Sequence, residues 1–179
     1  MKIPLLGEGG VGKTTLVKGF MEGKITKGYS PTMGVEVGKT TVTLEIKDKI
    51  AKVNFQLWDL AGQSAYKKFR TLYYRGAVGL ILVYDIGCRD SFEACEGWLE
   101  EAWGVVGKRP MVLVGNKSDL RKIGRGEVTS EEGEAFAKQI YEKTNLPALF
   151  VEACAIRLLN ADKPFKELAK TLIAQYEDH

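Results

Sequence analysis

GEGGVGKT, residues 7–14, places four glycines in eight residues and closes on a lysine and a threonine. It follows the apolar stretch 3–6 and precedes Leu16, Val17 and Phe20 at helical spacing. Gly7, Gly12, Lys13 and Thr14 thereby match GxxxxGK[ST] in the strand-then-helix context that the pattern requires. Glycines let the successive N–H groups of Gly9, Gly10, Val11, Gly12, Lys13, Thr14 and Thr15 turn inward around anionic oxygens, and the opening helix adds its partial positive charge. Lys13 supplies a full charge and Thr14 a ligand for Mg2+. The expected ligand is a nucleotide; kinase, ATPase and GTPase chemistry remain open on this stretch alone.

Outward from the loop, short apolar runs alternate with helix-period segments, the pattern of βαβ units. Strands are expected at 3–6, 35–46, 52–60, 77–84, 111–115 and 148–151, and helices after Gly12 and over about 91–105, 130–143 and 162–176. GLILVY and MVLV suit strands covered on both faces, whereas Val42, Leu44, Ile46 and then Val53, Phe55, Leu57 alternate on either side of KDKI, as in a hairpin. The fold class is α/β: a six-stranded, mostly parallel sheet with one antiparallel edge strand and helices on both faces. Pro4 removes a ladder donor from a strand placed near the sheet centre, so a bulge or shortened pairing is expected there.

The 179 residues suit a single domain over 1–179, and the balance of 26 basic and 23 acidic residues gives a net charge of only +3, with no basic stripe for nucleic acid. Cys88, Cys95 and Cys154 form no CxxC and read as thiols of a reducing, cytoplasmic setting. The longest apolar runs, such as AVGLILVY at 77–84, are far shorter than a bilayer helix needs. From Lys2 at the second position and the ending AQYEDH, no sequence-encoded leader or lipid anchor is expected.

Asn116, Lys117 and Asp119 stand as GNKSD after the strand MVLV, at the carboxyl end where open α/β sheets bind ligands. A carboxylate there can accept two parallel hydrogen bonds from N1–H and the exocyclic amine of guanine, donors that adenine does not present together. Adenine would leave it unpaired, at a cost large enough for strong selectivity. Asp59 in WDLAGQ is placed to hold Mg2+ through water. The N–H of Gly62 can meet a terminal phosphate, and the amide of Gln63 can orient an attacking water.

With GEGGVGKT, YSPTMGVEV, WDLAGQ and GNKSD in order, the chain resembles a small GTPase of the Ras superfamily over nearly its whole length. FQLWDLAGQ, TMGVEV and LYYRGA resemble the Rab branch, while KTTLVK with GVEV and KPFKELAKTLI resemble Ran. The resemblance implies a magnesium-dependent switch that hydrolyses GTP slowly to GDP and phosphate, and meets effectors, exchange factors and GTPase-activating proteins through its switch regions. Residues around Val37, Trp58 and Tyr73 are the partner surface it suggests. It further implies that Thr32 of YSPT coordinates Mg2+ beside Thr14, that Tyr29 lies over the phosphates, and that Cys154, Ala155 and Ile156 border the base, with the Ala155 N–H facing the guanine carbonyl. Four positions depart from the family pattern: Ile25 replaces an aromatic residue, Cys154 and Ile156 replace the serine and lysine of a Ser-Ala-Lys stretch, and Ser64 replaces the acid after Gln63. Two rival readings are a nucleotide kinase or ATPase, and a GTP-binding adaptor with negligible hydrolysis.

Overall fold

The computed structural model describes residues 1–24, 32–46, 49–62 and 67–177, with the side chains of 67, 68 and 177 excepted. Six strands form one sheet: β1 (Lys2–Leu6), β2 (Val35–Ile46), β3 (Lys49–Leu60), β4 (Leu80–Asp85), β5 (Met111–Asn116) and β6 (Ala148–Glu152). Their spatial order is β2-β3-β1-β4-β5-β6. The β2–β3 pair is antiparallel and the other pairs are parallel, which gives the mostly parallel sheet with an antiparallel edge expected from the hydropathy pattern. Since β1 has β3 on one side and β4 on the other, the chain leaves its carboxyl end where the strand order reverses. That is the crevice in which open α/β sheets hold ligands.

The alternation along β4 shows how the sheet divides the core. Leu80, Leu82 and Tyr84 point to one cluster, with Trp98, Leu99 and Ile140, while Ile81 and Val83 point to the other, with Leu16, Phe165 and Leu168. These five apolar side chains of β4 are fully buried, so a run of apolar residues without polar alternation is what a strand covered on both faces requires. On the first face lie α2 (Lys67–Tyr74), α3 (Arg89–Glu93), α4 (Cys95–Val106) and α5 (Ser130–Thr144); on the second lie α1 (Lys13–Glu22) and α6 (Lys163–Glu177). The α5 start is fixed by a capping box, in which the Thr129 hydroxyl accepts from the Glu132 N–H and the Glu132 carboxylate accepts from the Thr129 N–H.

The hairpin reaches further than its alternation suggested, since β3 begins at Lys49 opposite Ile46, and residues 47–48 of the connection lie outside the described residues. The helix expected over 91–105 is two segments that meet at Ala94. Pro4 has the effect its chemistry demands. On the β3 side the ladder runs unbroken from Lys2 to Leu5. On the β4 side Lys2 lies opposite Ala77 but Leu5 lies opposite Ile81, offsets of 75 and 76, so one extra residue is accommodated there. The carbonyl of Lys2 accepts from Val78 of that side, and strand alternation turns the position of Pro4 the same way. The missing N–H therefore falls at the irregularity.

Candidate functional site

The carboxyl ends of β1, β3, β4 and β5 deliver the loop 7–12, Asp59, Asp85 and Asn116 to one edge of the sheet. In the loop, Gly12 has φ 99° and stands so close to Asn116 that a Cβ would meet its Nδ2 at 2.3 Å, which explains why only glycine serves there. Val11 is buried, Gly9 and Gly10 are exposed, and Thr15 is half-buried on the first turn of α1. The Lys13 ammonium, 6% exposed, donates to the carbonyls of Gly7 and Glu8, both at 2.7 Å. Burial lowers its pKa to about 8, against the opposing influence of the Asp59 and Glu8 charges. Anionic oxygens in the loop would stabilise its charged form.

Three oxygens converge beside Lys13. Thr14 Oγ1 donates to Asp59 Oδ2 at 2.5 Å, and lies 2.7 Å from Thr32 Oγ1, which donates to Asp59 Oδ2 at 3.4 Å. Asp59 is 2% exposed, and among the described residues its Oδ1 has no hydrogen-bond partner. Burial is the main cause that raises its pKa. Two hydroxyls and a carboxylate with an orphaned oxygen are a hard oxygen donor set, and they fit a small divalent cation such as Mg2+. Gly62, close after Asp59, is pressed against the loop: a Cβ there would lie 2.4 Å from both Glu8 C and Gly9 N.

On the other flank, the buried Asn116 amide joins two segments. Its Nδ2 donates to Val11 O at 2.8 Å and its Oδ1 accepts from the Ala155 N–H at 3.1 Å. The N–H expected to face the guanine carbonyl is thus already engaged, and a ligand oxygen there would share or displace that bond. Asp119 Oδ1 accepts from the Cys154 thiol at 3.0 Å, and its Oδ2 lies 3.9 Å from Arg157 Nε. Burial, then the neighbouring Asp119, raises the Cys154 pKa and keeps it a protonated donor. Lys117 has φ 65° and pairs with Asp85 at 2.7 Å, so its stem is held at the mouth of the β4–β5 edge. Ile156 is half-exposed beside this group.

The structure thus brings together the loop residues, Thr14, Thr32, Asp59, Gly62, Asn116, Lys117, Asp119, Cys154, Ala155 and Ile156. Gln63 and Tyr29, together with the departures Ile25 and Ser64, lie outside the described residues. Sequence reasoning missed Asp85, Glu8, Arg70 and Trp98. Asp85 had a signal, since it closes the apolar strand LILVYD directly opposite Asn116 in the β4–β5 register. Trp98 had none: its indole N–H reaches Glu8 Oε1 at 2.9 Å across 90 residues of chain.

This geometry agrees with what comparison with known proteins finds. The model of the Ras family matches residues 2–174. The chain is 39% identical over 168 residues to Ras-related protein RABA1c of Arabidopsis thaliana, covering 93% of this chain and 72% of that relative. Ras-related protein RIC2 of Oryza sativa subsp. japonica is 39% identical with the same coverage. The chain belongs to the Ras family, on its Rab-like side. It is a GTP-binding molecular switch and a GTPase, and membership of the family implies regulator and effector partners in general. Among the described residues no helix is long and apolar enough to cross a membrane.

Proposed function

We propose that residues 1–179 form one magnesium-dependent G domain of the cytoplasm, with slow intrinsic hydrolysis, in which the state of the terminal phosphate is read by Thr32 and Gly62. The observation that carries this reading is the convergence of Thr14, Thr32 and Asp59 with an orphaned Asp59 oxygen at the mouth of the phosphate loop. Thr14 and Thr32 would hold Mg2+ through their hydroxyls, and Asp59 through water. A bound Mg2+ neutralises charge on the phosphate oxygens during transfer. The loop N–H groups and Lys13 bind the phosphates. Asn116 keeps the loop and the base-side segment in register, Asp119 reads the N1–H and amine of guanine, and the Lys117 stem covers one face of the base.

Thr32 draws the first switch inward when the terminal phosphate is present, and the Gly62 N–H does the same for the second. Loss of that phosphate releases both segments, which is how the two states become distinguishable to a partner. Gln63 is assigned to orient the attacking water, and Tyr29 to shield the phosphates. A surface for effectors, exchange factors and GTPase-activating proteins is supported by Val37 and Trp58, which are paired across β2 and β3, and by Tyr73, whose ring lies 5.8 Å from that of Trp58. Val37 is 47% exposed, as a partner contact needs to be.

Single-turnover decay of GTP in the Gln63→Leu variant tests this assignment. GTP binding should persist while hydrolysis slows by about tenfold or more, because the change removes the water-orienting amide and no phosphate contact. An unchanged rate refutes the role of Gln63, and a parent rate indistinguishable from GTP in buffer would leave an adaptor that binds without turnover.

A further inference from the structure

Trp98 stands on α4 where the phosphate loop and α2 both reach that helix. Its indole N–H donates to Glu8 Oε1 at 2.9 Å, and its ring carries the guanidinium of Arg70, 4.1 Å from the centroid. Arg70 is 4% exposed although it sits on a short helix near the crevice. Its Nη1 donates to the Ala61 carbonyl at 3.4 Å, and its Nε and Nη2 donate to the two oxygens of Glu101 at 3.1 and 3.2 Å. Glu101 follows Trp98 by three positions, on the same side of α4, and also accepts from the Tyr74 hydroxyl at 2.7 Å.

We propose that Trp98 is a positioning residue that holds the phosphate loop and the Asp59–Gly62 segment in fixed relation, and thereby sets the preference for triphosphate over diphosphate. The inference rests on the reading above that the Gly62 N–H meets the terminal phosphate. Through Glu8 the indole holds one wall of the phosphate site. Through Arg70 and the Ala61 carbonyl, which belongs to the peptide bond that carries the Gly62 N–H, it holds the other. These walls already touch, since Gly62 packs on the backbone of Glu8 and Gly9 without room for a Cβ. The phosphates shared by GTP and GDP bind the loop alone, whereas the third must meet both walls. A change in their spacing therefore weakens triphosphate and spares diphosphate. Trp98 touches no nucleotide and acts only through Glu8 and Arg70.

Trp98→Phe separates this role from packing, because it keeps an aromatic face for Arg70 and deletes the N–H. Affinities for GDP and for the slowly hydrolysed analogue GTPγS, both with Mg2+, are measured by displacement of a fluorescent GDP from the full chain. The ratio of GTPγS to GDP affinity should fall about tenfold, the worth of one hydrogen bond to a charged group, with GDP affinity held within about twofold. Arg70→Gln should lower the same ratio, and the double variant should be no worse than the worse single change, since both cut one linkage. An unchanged ratio in Trp98→Phe, an equal loss for both nucleotides, or additive losses in the double variant would overturn the proposal. If Arg70→Gln fails to fold, the ratio in Trp98→Phe decides alone. Should the parent prove indifferent to guanine, the functional reading fails separately. Hydrogen exchange then decides the linkage without nucleotide: Trp98→Phe must loosen both 7–12 and 59–62, and unchanged exchange in either overturns it.

Discussion

The side-chain amide of Asn116 donates to the carbonyl of Val11 at 2.8 Å, across 105 residues of chain, while its oxygen accepts from Ala155. One buried amide thus aligns the loop 7–12 with the segment at Ala155, which the proposed reading sets beside the base. Asn116→Ala deletes both bonds and leaves a buried carbonyl and N–H to find new partners, a loss of about 2–4 kcal/mol. GDP affinity should fall by roughly 30-fold or more, with a lower melting temperature. Nucleotide titration and thermal melting of the variant check this; parent-like affinity would show that the two segments align without the amide.

Gly62→Ala tests the contact between the second switch segment and the loop. The added methyl would meet Glu8 C and Gly9 N at 2.4 Å, backbone atoms that cannot rotate away. The Asp59–Gly62 segment must therefore retreat, so the variant should retain GDP but bind GTPγS at least about tenfold more weakly than the parent. Equal losses for the two nucleotides would mean that this segment does not report the third phosphate.

The three thiols are free and differ in environment. Burial pushes Cys95 up to about 12, and Cys154 is raised as well by burial and by the Asp119 carboxylate. Since the thiolate is the reactive form, iodoacetamide at pH 8 should label the half-buried Cys88 and spare the other two in the folded protein. Mass spectrometry after a short exposure reads the outcome. Labelling of Cys95 at the rate of Cys88 would contradict the packing around α4.

The site motifs were legible because each needs its residues at one strand end. GEGGVGKT, WDL and GNKSD carry their own geometry in local spacing, and Val42, Leu44, Val53, Phe55 and Leu57 alternate as a half-covered hairpin must. Helix α2 was not legible for a physical reason. Among its described side chains the buried ones are Arg70 and Tyr74, which bond Glu101, whereas Phe69 and Leu72 are 59% and 57% exposed. The hydropathy pattern is inverted, and the carboxylate on α4, far along the chain, helps make a buried arginine tolerable. The same distance hid Trp98. Its place between Glu8 and Arg70 exists only once the sheet has folded. Lys117 offered a name but not a partner, because its ion pair with Asp85 depends on the β4–β5 register.

The most direct test of the account is nucleotide competition at the base, using parent protein and Asp119→Asn with GTP, ATP and XTP displacing fluorescent GDP. Asp119 presents one carboxylate oxygen to the Cys154 thiol and a second toward Arg157; under the proposed reading the pair would accept from the adjacent N1–H and amine of guanine. The parent should prefer GTP over ATP by about 1,000-fold or more, as expected where the wrong base leaves a buried polar group unpaired. In Asp119→Asn an amide can donate to the second carbonyl of xanthine, so preference should move from GTP to XTP. A parent that takes ATP as readily as GTP, or a variant that keeps the parent preference for GTP, would contradict the assignment of this site to guanine.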